Sequence, residues 1–142
     1  MRALLDVNFL LALLDEDHSS HSQALLWWQS NRQAGWATCA LTQNGFARIS
    51  SQDGYSGRRP LGVALEQLSR LVTLPHHEFW SDDISITDAQ LFDHNYILGP
   101  NQITDVYLLG LAVKHGGRLV TFDRGLPLKA VRGAEARHLV VL

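Results

Sequence analysis

Short apolar runs closed by an aspartate stand near both ends of the chain: Arg2-Ala3-Leu4-Leu5 precedes Asp6, and Leu119-Val120-Thr121-Phe122 precedes Asp123. A third aspartate, Asp105, opens a long apolar segment. Runs this short and this apolar read as buried strands of a helix-covered parallel sheet. In an open α/β sheet, ligands bind outside the carboxyl ends of the strands, so acids placed there converge on one crevice although they are far apart in sequence. Converging carboxylates raise one another's pKa. A bound divalent cation relieves that conflict.

The rest of the chain fits the same plan. Asn8 to Asp15 and Ser19 to Gln33 read as helices, the second with Ser19 or Ser20 as its cap and Gly35 as its stop. Gly35 to Cys39 reads as a second strand, and Thr42 caps a helix running to about Ser50. Ser51 to Arg59 is a loop, and Pro60 starts a helix to about Arg70. Leu71-Val72-Thr73-Leu74, closed by Pro75, is the expected third strand. A short helix is expected around Asp88 to Asp93, and a break at Gly99-Pro100. Thr104 caps an apolar, buried helix of Asp105 to His115 that stops on Gly116-Gly117. Arg118 to Phe122 and His138 to Leu142 supply the last two strands. Strands separated by helices imply right-handed crossovers and a three-layer α/β/α domain with a central, mainly parallel sheet.

Composition excludes several classes. At 142 residues the chain fits one domain, 1–142, with a real core. A net charge of -2 argues against a protein that coats nucleic acid by charge alone. Asp6 and Asn8 interrupt the leucine-rich start, no small-residue cleavage site follows, and no run reaches the roughly 18 apolar residues of a membrane span. The expected location is the cytoplasm. The lone cysteine, Cys39, forms neither an intrachain disulfide nor a zinc cluster.

Taken singly, Asp6, Asp105 and Asp123 are accounted for as helix starts or turn residues. Taken together, each beside a hydroxyl or amide (Asn8, Thr104, Thr121), they supply the hard oxygen ligands that magnesium or manganese prefers. Other acids and histidines carry less. Thr87-Asp88 reads as a short-helix cap, Asp82-Asp83 as a solvated loop, and His18, His21, His76 and His77 as surface residues without zinc spacing. Trp27 and Trp28 cannot both face one core, because adjacent helical residues diverge by about 100°. One belongs inside, and the other at a partly exposed edge suited to a protein partner.

Four blocks resemble the signature segments of PIN-domain ribonucleases, and among them the VapC toxins of bacterial toxin-antitoxin pairs. They are Leu4-Leu5-Asp6-Val7-Asn8, Leu41 to Arg48, Thr104 to Leu109 and Leu119 to Leu126. The resemblance implies that Asp6, Asp105 and Asp123 bind the metal, with Asn8, Thr104 and Thr121 as supporting polar groups. It implies a Mg²⁺- or Mn²⁺-dependent endoribonuclease, a VapB-like protein antitoxin, an RNA substrate and a homodimer. The family's further acid in the second block is matched by Gln43, which offers a carbonyl oxygen but no charge. Three carboxylates then remain, enough for one Mg²⁺ that keeps several waters. Arg58, Arg59 and Arg124 are the candidate contacts for RNA phosphates. Two other readings compete: an RNA-binding PIN domain whose catalysis Gln43 has weakened, and a phosphoacceptor receiver domain. The second needs paired acids after the first strand and a lysine after the last, and the chain has neither arrangement.

Overall fold

The computed structural model describes residues Met1–Leu142. Five parallel strands, β1 (Ala3–Leu5), β2 (Trp36–Cys39), β3 (His77–Trp80), β4 (Arg118–Thr121) and β5 (Leu139–Val141), lie in the order β3-β2-β1-β4-β5. Five helices connect them: α1 (Val7–Leu14), α2 (His21–Asn31), α3 (Ala40–Ser51), α4 (Leu61–Val72) and α5 (Ile103–Lys114). The chain lays down β1, β2 and β3 in one direction, then returns to place β4 on the other side of β1. That reversal makes the β1–β4 boundary the topological switch point, where a crevice opens at the carboxyl ends of the strands.

Strand side chains alternate between two cores. Ala3, Leu5, Trp36 and Val120 face a cluster built with Phe9, Trp28, Phe46 and Leu68 from α1 to α4. Leu4, Ala37, Cys39 and Leu119 face a second cluster built on α5, with Val106, Leu109 and Phe92. These are three layers, with the sheet buried between. Trp28 is 5% exposed and packs edge-on to Trp36, whereas the half-buried Trp27 lies against Phe9 with the Arg118 guanidinium 5.4 Å over its ring. α3 comes close to α1 because Gly45 has no side chain. A Cβ there would stand 2.6 Å from a Val7 methyl.

Several sequence expectations are corrected. Leu71 to Leu74 is not a strand: Leu71 continues the buried stripe of Ala64 and Leu68, so helical spacing carries α4 through Val72. The third strand is His77–Trp80, an edge strand with Glu78 and Phe79 exposed, which has no apolar run to announce it. Asp88 to Asp93 forms turns, with Asp88 accepting from the Gln90 amide and Phe92 bridging Val131; a short 3-10 turn follows at His94–Tyr96. Thr42 and Thr104 lie inside their helices. α3 starts at Ala40, with Thr42 accepting from the Cys39 amide, and α5 starts at Ile103. Asp82-Asp83 lies in a loop with Asp83 exposed, as expected, whereas Asp82 is half-buried and accepts from the Leu41 amide at the start of α3. His76 is exposed as expected, at φ 72°, but His21 and His77 are half-buried: His21 bonds the Ala12 carbonyl and His77 the Thr38 hydroxyl.

Candidate functional site

Asp6 follows β1 and caps α1, its carboxylate accepting from the Phe9 amide at 2.7 Å. The cap places the side chain at the switch point, where it is only 2% exposed. Asp123 follows β4 in a turn: its carboxylate accepts from the Gly125 amide at 2.8 Å. Thr121 joins these two strand ends. Its hydroxyl accepts from the Asp123 amide at 3.0 Å and donates to the Asp6 carboxylate. Asp105 lies in the first turn of α5, and its carboxyl hydrogen bonds to that of Asp123.

Burial and crowding shift the protonation of these groups. Asp6 is pushed up to about 6, mainly by loss of water, with the Thr121 and Phe9 hydrogen bonds opposing and the Asp123 charge adding to the rise. Asp105 is pushed up to about 7 by burial, by the Asp6 charge and by its contact with Asp123. None of the chain's lysine or arginine ion pairs involves these three acids. The negative charge is therefore concentrated and uncompensated, which is the electrostatic condition for capturing a cation.

The other candidates are distributed unevenly. Asn8 and Thr104 are exposed on the first turns of α1 and α5. Gln43 points elsewhere: its amide donates to the Thr38 hydroxyl at 3.0 Å, which in turn bonds His77, and it contacts none of the three acids. Arg58 and Arg59 sit at the far end of α1, about 12 Å along its axis from Asp6. Arg58 pairs with Asp53, and Arg59 bonds the Leu14 carbonyl and lies beside Asp15. Arg124 is exposed next to Asp123. Gln102, which carries no motif, also reaches the site from the turn before α5. Its amide donates to the Gly125 carbonyl at 3.1 Å and accepts from the Leu98 amide at 3.0 Å.

The arrangement is a crevice of hard oxygen donors, but not a closed cage. No three His, Cys, Asp or Glu side chains surround one point at ligating distance. A close Asp105–Asp123 pair with Asp6 beside it suits an octahedral ion that takes one or two carboxylates and keeps its waters. The family model for the PIN domain matches residues 3–132. The chain belongs to the PIN-domain family. As a PIN domain it is 49% identical to Ribonuclease VapC44 of Mycobacterium tuberculosis, over 100% of both chains. It is also 38% identical to Ribonuclease VapC39 of that organism, over 94% of this chain and 96% of the relative. The PIN fold superimposes on the crystal structure of VapBC2 from Rickettsia felis bound to a DNA fragment from their promoter, with a TM-score of 0.54, 13% identity and coverage of 89% and 96%.

Proposed function

We propose that this protein is a Mg²⁺- or Mn²⁺-dependent endoribonuclease and the toxin of a type II toxin-antitoxin pair, a single PIN-like nuclease domain over residues 1–142. It cleaves cellular RNA in the cytoplasm as a homodimer and is neutralised by a VapB-like protein antitoxin. One observation carries this reading: the acids that the sequence singles out stand together at the switch point in a chain that matches a ribonuclease along its whole length.

Asp6, Asp105 and Asp123 are the groups that would hold the ion. When bound, a divalent ion neutralises charge on the scissile phosphate and lowers the pKa of the attacking water. The protein's own work is positional. The Phe9 amide and the Thr121 hydroxyl fix Asp6, and the Gly125 amide fixes Asp123, so the donors are oriented in advance. Asp105 gives up its proton to take part, which the local negative charge resists without a cation. Arg124, exposed beside Asp123, would contact a substrate phosphate. Gln43 acts from the second layer, through Thr38, and leaves the three acids intact.

Incubation of purified protein with RNA in Mg²⁺, Mn²⁺ or EDTA tests the proposal. Metal-dependent internal cuts, lost in Asp105→Asn, are expected. Tight RNA binding without cleavage at any metal concentration would instead establish the weakened-catalysis reading.

A further inference from the structure

Two of the acids reach the crevice on separate elements, and one side chain outside the acid set spans those elements. Asp105 rides on α5, whereas Asp123 belongs to the turn after β4. Gln102 is the residue before α5 begins, and its amide crosses to the Gly125 carbonyl at 3.1 Å. Gly125 is also the residue whose amide holds the Asp123 carboxylate at 2.8 Å. The other end of the same amide accepts from Leu98 at 3.0 Å, tying down the strand of loop that leads into α5. Both partners require one orientation: the nitrogen must face a carbonyl, and the oxygen must face an N–H. A glutamine fits both ends at once.

We infer that Gln102 is a positioning residue of the nuclease site, a strut that sets the spacing between the Asp105 helix and the Asp123 turn and so the geometry offered to the cation. The inference rests on the nuclease reading above. The strut touches neither the ion nor the substrate; it acts through Gly125 on the Asp123 carboxylate. Partners that orient ligands in this way typically change metal affinity or activity about 10- to 100-fold when removed. Their contribution to the fold is small, because the bonds lie near the surface.

Gln102→Met keeps the length and removes the amide, while Gln102→Asn keeps the amide and shortens its reach. Calorimetric titration with Mn²⁺, melting in EDTA and RNA cleavage kinetics are compared with wild type. Both variants are expected to melt near the wild-type temperature in EDTA, to bind Mn²⁺ about tenfold or more weakly, and to lose kcat with little change in KM. Cleavage should recover as Mn²⁺ is raised, a rescue that a merely structural role does not produce. Wild-type Mn²⁺ affinity in folded Gln102→Met overturns the inference alone. If Gln102→Met fails to fold, Gln102→Asn decides by the same measure. Absence of Mn²⁺ binding by the wild-type protein overturns the nuclease reading and the inference with it.

Discussion

The carboxyl of Asp105, on α5, hydrogen bonds to that of Asp123, in the turn after β4, and this contact adds to burial and to the Asp6 charge in pushing Asp105 up to about 7. A divalent ion held by Asp6, Asp105 and Asp123 would offset the repulsion among these acids, which underlies the first two predictions.

In EDTA, stability should fall as pH rises. The folded-state pKa values of Asp6 and Asp105 lie above the ordinary value of 3.8, at about 6 and about 7, so the folded protein holds more protons than the unfolded chain between these limits. Their stabilising contribution is complete below about pH 4 and is lost as pH rises through 6 and 7. For the buried Asp6 the rise from 3.8 to about 6 corresponds to about 3 kcal/mol. The double variant Asp6→Asn, Asp105→Asn should therefore melt higher than wild type at pH 8 and near it only at about pH 4 and below. Melting curves for the two proteins that shift in parallel across this range would contradict the assignment.

Added Mn²⁺ should raise the melting temperature, and more at pH 8 than at pH 6, because Asp105, pushed up to about 7, still holds its proton at the lower pH. Asp105→Asn should show little of the effect. Asp6→Asn is a cleaner test of the third acid than Asp6→Ala, since asparagine preserves the cap on α1 and alanine costs about 1 kcal/mol there. Equal metal shifts at both pH values, or in all variants, would show that the ion binds elsewhere.

Thr121→Val should weaken the site through geometry alone. Valine fills the same buried space but removes the hydroxyl that links the Asp6 carboxylate to the Asp123 amide. A loss of about 1–3 kcal/mol in stability is expected from the unpaired groups, together with a drop of about tenfold or more in cleavage. Thr121→Ser, which restores the hydroxyl, should recover most of both. Full activity in a stable Thr121→Val protein would remove Thr121 from the site.

Gln43→Ala should cost stability more than catalysis. Its amide supports Thr38 beneath the sheet edge, a single hydrogen bond of about 1 kcal/mol, and touches no carboxylate. Cleavage should stay within a fewfold of wild type, against near-abolition in Asp105→Ala. If the two variants prove equally inactive in RNA cleavage at fixed pH and salt, Gln43 takes part in the chemistry directly.

The sequence by itself determined the fold class and singled out the candidate acids. Four of the five strands are short apolar runs or end the chain, and Asp6 and Asp123 close two of them, so periodicity and punctuation suffice to place them. Strand β3 escaped that reading because an edge strand buries little, and Leu71 misled it because one leucine serves a helical stripe as well as a strand. Only the tertiary structure decided which residues meet. Strand order makes β1 and β4 neighbours, and so brings Asp6 beside Asp123; no local pattern encodes that pairing. The same holds for Arg59, drawn to the α1 terminus, for Gln43, drawn to Thr38, and for Gln102, drawn to Gly125. The physical reason is that strand and helix patterns arise from contacts near in sequence, whereas polar side chains take whichever partner the packed chain brings within about 3 Å.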